Sequence, residues 1–233
     1  MLESLKIEVY EANLELKRRN LIIYSWGNVS GIDREKKIVA IKPSGVSYEN
    51  LTPDKITLVD LSGRIVEGNL KPSSDTPTHL ELYRNFPNIG GVCHTHSENA
   101  TVWAQACRPI PCLGTTHADY YYGEIPVTRS MTEAEIKTDY ELNTGKVIVE
   151  TFARTGPDSM PAVLVANHGP FAWGRTPSRA VESAVVLEQV AEMAIKTAIL
   201  RPHLSAITQT LLDKHYLRKH GKDAYYGQND SGD

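Results

Sequence analysis

The stretch Ile89-Gly90-Gly91-Val92-Cys93-His94-Thr95-His96, followed by Ser97-Glu98-Asn99, decides how the rest of the chain is read. Ile89 to His96 is short, apolar at its start and β-branched, which predicts a strand, and the pattern turns helical from about Asn99 to Cys107. Side chains on a strand alternate between faces, so His94 and His96 emerge on the same one. Two imidazoles so placed can share a cation. Imidazole nitrogen suits zinc, and manganese or cobalt as substitutes, and a catalytic site of this kind keeps three protein ligands and an open position. By itself His-x-His is equally an ordinary polar strand face, so the metal reading needs a ligand from elsewhere in the chain.

On the N-terminal side, Met1 to Asn20 carries Leu2, Leu5, Val9, Ala12 and Leu16 at helical spacing. Ile38 to Ile41 and Ile56 to Val59 read as short strands, and Leu61-Ser62-Gly63-Arg64 as a turn into another at Ile65-Val66, which implies antiparallel pairing. From Thr76 the spacing of Leu80, Leu82 and Tyr83 predicts a helix ending near Pro87. On the C-terminal side, Gly114 to Gly123 reads as a loop, and Thr132-Glu133-Ala134-Glu135 is a capping box predicting a helix of about two turns or more. Val163 to Ala166 and Phe171 to Trp173 read as strands around His168-Gly169-Pro170. Thr176-Pro177 opens a long helix to about Leu200. With no repeat and no compositional break, residues 1–233 read as one domain of α/β class, with helices covering a mixed, mostly antiparallel sheet.

A net charge of −3, with no basic run interleaved with aromatics, argues against nucleic acid or an anionic membrane as partner. Cys93, Cys107 and Cys112 are odd in number and lack C-x-x-C spacing, so neither a disulfide framework nor a zinc ribbon is expected, and a cytoplasmic setting fits best. No apolar run is long enough to span a bilayer.

His168 is the strongest third ligand, because it sits at the exit of a predicted buried strand. His117 competes from the loop between Thr116 and Asp119. Asp75 reads equally as an oxygen ligand or as the N-cap of the helix beginning Thr76-Pro77. Three segments suit a phosphate: Lys42-Pro43-Ser44-Gly45, with a cation, a hydroxyl and a flexible backbone; Gly27-Asn28, a turn with an amide; and Ser73-Ser74 at a predicted helix start. Asp119 and the Tyr225-Tyr226 pair are candidates for proton transfer. Their plain alternatives are a loop-capping carboxylate and aromatic packing of the tail.

Together, Trp26-Gly27-Asn28-Val29-Ser30, Lys42-Pro43-Ser44-Gly45, Pro72-Ser73-Ser74-Asp75-Thr76, His94-Thr95-His96-Ser97, Gly114-Thr115-Thr116-His117-Ala118-Asp119-Tyr120, His168-Gly169-Pro170-Phe171-Ala172-Trp173-Gly174, Lys219-His220-Gly221 and Ala224-Tyr225-Tyr226-Gly227 resemble the class II aldolase family, in its branch of L-ribulose-5-phosphate 4-epimerases. The resemblance spans nearly the whole chain. It implies a three-layer α/β/α fold with a mostly antiparallel sheet and a homotetramer with active sites between subunits. It also implies interconversion of L-ribulose 5-phosphate and D-xylulose 5-phosphate by carbon–carbon bond cleavage and re-formation. Asp75, His94, His96 and His168 fall on the family's zinc positions. Gly27, Asn28, Ser44, Gly45, Ser73 and Ser74 fall on its substrate and phosphate positions, with Lys42 beside them. Asp119 and Tyr226 fall on its acid–base pair, contributed by the adjoining subunit. Aldolases of the family typically carry Glu where this chain has Asp75, which favours the epimerase, while a non-catalytic scaffold is expected to have lost the histidines. Residues 229–233 are polar, and a disordered tail is expected there.

Overall fold

The computed structural model describes residues 2–222, 224 and 225. In chain order the elements are α1 (Leu2–Arg18), β1 (Asn28–Asp33), β2 (Ile38–Ile41), a 3-10 turn (Pro53–Lys55), β3 (Thr57–Asp60), β4 (Ile65–Glu67), α2 (Thr76–Asn85), β5 (Gly91–His94), α3 (Glu98–Gln105), α4 (Thr115–Ala118), α5 (Glu133–Lys137), α6 (Tyr140–Thr151), β6 (Ala162–Leu164), β7 (Pro170–Gly174), α7 (Pro177–Leu200) and α8 (Gln209–His220). The strands form one seven-stranded sheet in the order β4-β3-β2-β1-β5-β7-β6. Every pairing within it is antiparallel. The expected mixed character is reduced to an isolated parallel bridge between Val127 and Leu164.

Alternation along β1 sorts the layers. A side chain at Gly31 would meet Leu5 and Val9 of α1 and Pro177 of α7, so that face belongs to those two helices. Ser30, on the opposite face, bonds to His79 and Tyr83 of α2. Against α2 lies α6, where a Cβ at Gly145 would strike Glu81. The sheet is therefore covered on both sides, and its inward residues, among them Val29, Val92, Val163, Phe171 and Trp173, join the core. Burying each contributes on the order of 1.5–3 kcal/mol.

Gly31, Gly91 and Gly174 stand side by side on three neighbouring strands. A Cβ at Gly91 would come within 2.6 Å of Pro177, and one at Gly174 within 2.6 Å of Arg179. This bare trough lets the first turn of α7 lie directly on the sheet. Thr176 closes that helix start by accepting from the Arg179 amide, as the Thr-Pro pair predicts.

Some expectations are revised. The strand read as Ile89 to His96 is only Gly91–His94, which leaves His96 beyond its end. The Thr132 capping box is present, but α5 has five residues, shorter than two turns, because Thr138 leaves helical geometry. The segment Gly114 to Gly123 contains the short helix α4. The sequence reading also passed over β1, α6 and α8. Residues 229–233 lie outside the described residues. Among the described residues no helix is long and apolar enough to cross a membrane.

Candidate metal centre and substrate cavity

His94 closes β5, between Asn28 of β1 on one side and Phe171 of β7 on the other. The Phe171 ring stacks on its imidazole at 4.2 Å. His94 Nδ1 donates to the Pro170 carbonyl at 2.9 Å, since a carbonyl can only accept, and this leaves Nε2 as the atom that faces the neighbouring histidines. His96 lies two residues on, and its Nε2 is 3.1 Å from His94 Nε2. His168 arrives from the β6–β7 hairpin, a tight turn in which Asn167 takes a left-handed φ of 60°. That turn is closed by His168 N–H donating to Val165 O. The ligand atoms of His94, His96 and His168 all lie within 4.8 Å of one another.

Whether these groups suit a divalent cation turns on their protonation. Burial, reinforced by His94 and His96, pushes the His168 imidazole down to about 3. Burial, reinforced by His94, lowers His96 as well. The neutral form that burial favours at His96 and His168 is the one that ligates a cation, and carbonyl bonding at His94 Nδ1 is the usual outer support of a metal-ligating histidine. The donor set fits zinc and its neighbours.

His94 and His96 line one wall of a cavity of about 460 Å³. Every residue singled out for phosphate lines it too: Gly27, Asn28, Lys42, Ser44, Gly45, Ser73 and Ser74, along with Asp75. The turns are tied to one another. Ser44 N–H donates to Lys71 O, Ser73 N–H donates to Lys42 O, and Pro43 bridges Pro72. Gly27 and Gly45 take left-handed φ values of 94° and 70°, and a Cβ at Gly27 would collide with the His94 carbonyl. Lys42 is buried, and its ammonium donates to Val46 O at 2.6 Å and to Pro43 O at 3.3 Å while lying over the Tyr48 ring. Burial pulls it down to about 8. It braces the Ser44-Gly45 turn from behind.

Asp75 occupies the N-cap position of α2, yet its side chain makes no capping bond. Its carboxylate accepts instead from Asn28 Nδ2 at 2.6 Å. Burial raises the carboxyl, but His94, His79 and the Asn28 amide more than offset this, leaving it below its ordinary value. His117 is settled differently. It lies apart from the three clustered histidines, donates from Nε2 to Gly123 O at 2.8 Å, and is pushed down to about 4 by burial.

Asp119 does not line the cavity. It follows α4 and is gripped by α8, with His215 Nδ1 at 3.0 Å, Arg218 at 2.9 Å and Lys219 at 3.4 Å. Burial raises its carboxyl, and these three partners lower it further than burial lifts it. Tyr226 lies outside the described residues.

Sequence reading missed three groups near the centre. Tyr140, opening α6, places its hydroxyl 3.4 Å from His168 Nδ1. Trp26, half exposed at the cavity mouth, sits 6.2 Å from the His96 ring. His79, wholly buried, bonds Ser30. Only Trp26 carried a signal, a large aromatic beside a glycine turn.

Comparison with known proteins agrees with the geometry. The chain is similar to an L-fuculose 1-phosphate aldolase, at 25% identity and a TM-score of 0.77, over 91% of this chain and 94% of that one. YgbL of Klebsiella pneumoniae, provisionally an aldolase/epimerase/decarboxylase, aligns at 24% identity with a TM-score of 0.71, over 91% and 97%. The L-fuculose-1-phosphate aldolase of Thermus thermophilus aligns at 24% identity with a TM-score of 0.65, over 87% and 98%. These likenesses place the sheet and its covering helices in the class II aldolase fold. Residues 7–195 match the family described as Class II Aldolase and Adducin N-terminal domain, and the chain belongs to that family.

Proposed function

We propose that the protein is a cytoplasmic L-ribulose-5-phosphate 4-epimerase, a homotetramer whose active sites are completed between subunits. The observation that carries this reading is the single cavity that joins His94 and His96 to the Ser44-Gly45 and Ser73-Ser74 turns. One molecule bearing a phosphate at one end and a hydroxyketone at the other would fill both.

Inversion at C4 constrains the chemistry. C4 is not next to the C2 ketone, so a carbanion formed there by proton removal would have no carbonyl to stabilise it. The C3–C4 bond is the one that can break. A divalent cation held by His94, His96 and His168, with Asp75 beside them, would supply Lewis-acid stabilisation of the negative charge that develops at the ketone oxygen. Everything else falls to side chains. A base takes the C4 hydroxyl proton, the C4–O electrons form an aldehyde, and the C3–C4 pair moves to C3 and the ketone as an enediolate. The glycolaldehyde phosphate fragment stays tethered by the Ser44, Gly45, Ser73 and Ser74 turns and by the N–H groups at the start of α2, which favour an anion. It presents its other face, C3 attacks again, and an acid returns the proton to the C4 oxygen.

Asp119, kept ionised by His215, Arg218 and Lys219, suits one of these proton transfers, and Tyr226 is assigned the other. Because Asp119 does not line the cavity of its own chain, it is assigned to the cavity of a neighbouring subunit. The test is to incubate purified protein with L-ribulose 5-phosphate. D-xylulose 5-phosphate without free fragments is the expected product. Accumulation of free glycolaldehyde phosphate would instead establish the second reading, an aldolase, which the likeness to L-fuculose 1-phosphate aldolase favours.

A further inference from the structure

Beneath the cavity, α2 and β1 meet in a polar seam that the chemistry above leaves unused. Asp75, His79 and Tyr83 are spaced by four, so they form one stripe of α2, and Asn28 and Ser30 are spaced by two on one face of β1. The rows pair rung by rung. Asn28 Nδ2 donates to Asp75 at 2.6 Å, Ser30 Oγ lies 2.7 Å from His79 Nδ1, and the Tyr83 hydroxyl lies 2.8 Å from Ser30 Oγ. His79 is wholly buried and edge-on to Phe171 at 6.0 Å, the ring that stacks on His94. Its Nε2 is buried without a hydrogen-bond partner among the described residues. Asp75 lies one helical turn before it, within electrostatic range.

A fully buried imidazole with no carboxylate bonded to it is neutral, so only one of its nitrogens carries hydrogen. With the hydrogen on Nε2, Ser30 donates to Nδ1 and Tyr83 donates to Ser30, so each hydroxyl proton is used once.

We propose that His79 is a positioning residue for the cation centre: the Tyr83–Ser30 pair fixes its Nε2–H tautomer, which orients Asp75 and, through Phe171, the His94 ring. The proposal rests on reading Asp75 as facing the cation. His79 itself touches neither substrate nor cation.

The test uses the full chain, stripped of metal by chelation and titrated with Co²⁺ against a chromophoric chelator, with the visible Co²⁺ spectrum and thermal unfolding recorded for each variant. His79→Leu, which keeps volume but removes both nitrogens, is expected to weaken Co²⁺ binding by about 10- to 100-fold, the usual effect of losing an outer-shell partner, and to change the spectrum. His79→Gln, which keeps an acceptor and a donor, is expected to restore most of that affinity while unfolding at a temperature close to that of His79→Leu. Ser30→Ala, which removes one oxygen and keeps the core filled, is expected to weaken Co²⁺ binding in the same direction. Wild-type affinity and spectrum in folded His79→Leu, or in Ser30→Ala, would overturn the proposal. Asp75→Asn separates the two levels. If it leaves Co²⁺ binding and spectrum unchanged, the reading of Asp75 itself fails; if it alters them while the His79 and Ser30 variants do not, only the positioning role falls.

Discussion

The Nε2 atoms of His94 and His96 lie 3.1 Å apart, with His94 unable to turn because its other nitrogen is committed to the Pro170 carbonyl. Two imidazole nitrogens at that separation either share a hydrogen or share a cation. Chelation is therefore expected to lower the melting temperature and added Zn²⁺ to restore it, the ion at a free concentration one hundred times Kd adding about 2.7 kcal/mol to the unfolding free energy. His96→Asn is expected to lose bound metal and turnover together, read by elemental analysis beside the epimerase assay. An active variant free of metal would refute the ligand set.

Asp119 is held by α8 of its own chain but is assigned to the cavity of another. Asp119→Asn is expected to lower kcat by about 10² or more. Mixing it with His96→Asn under conditions that exchange subunits is expected to recover about a quarter of wild-type activity, because random pairing in a cyclic assembly regenerates one intact site in four. No recovery in demonstrably mixed oligomers would place Asp119 outside the neighbour's site.

Glu188 of α7 reaches the open start of α3, accepting from Asn99 N–H at 2.8 Å, Asn99 Nδ2 at 2.8 Å and Ala100 N–H at 2.9 Å. Ser97, at the N-cap, makes no side-chain bond there, so this carboxylate serves in its place. Glu188→Gln is expected to cost about 1.5–3 kcal/mol in urea unfolding, the worth of hydrogen bonds to a charged group. An unchanged midpoint would show that the amides find other partners.

His117 gives the metal-free protein an acid weakness that does not involve the centre. Its folded value is about 4 against 6.5 for the free side chain, so the unfolded state takes up a proton first. Its contribution is complete above pH 6.5 and is lost as pH falls through 4, amounting to about 3 kcal/mol at 1.36 kcal/mol per unit. His117→Gln is expected to flatten stability against pH over that interval in denaturant titrations. The wild-type slope persisting in the variant would assign it to other groups.

Legibility in the sequence followed how local each signal was. The Thr176-Pro177 start and the Thr132 capping box were readable because a cap is decided within four residues, and both bonds are present. The strand β1 was not, because its first residues look like a turn and Gly31 interrupts its apolar pattern for the sake of Pro177, far along the chain. Similarly, α5 stops early where Asn143 of α6 bonds back to Glu135 O and the Thr138 hydroxyl. Within the site, His94 and His96 carried the shortest of signals. His168 could be chosen over His117 because it follows a predicted buried strand while His117 lies in a loop, and Tyr140 and His79 carry no mark beyond ordinary helical spacing. The cavity residues were legible as turns. That several separate turns line one chamber is a property of the Ser44–Lys71 and Ser73–Lys42 bonds, which couple segments roughly thirty residues apart in the chain.

The trough of Gly31, Gly91 and Gly174 has a reach beyond its own neighbourhood. It seats Pro177, and eleven residues along the same helix Glu188 meets α3, just past His96. At 3.6 residues per turn, inserting a single residue between those points would swing the carboxylate by about 100° and lift it roughly 1.5 Å along the axis. The segment that follows His96 is thus indexed to the sheet by a count of residues, as a key is cut to a fixed length, and the clearance left by three missing side chains is where that count begins.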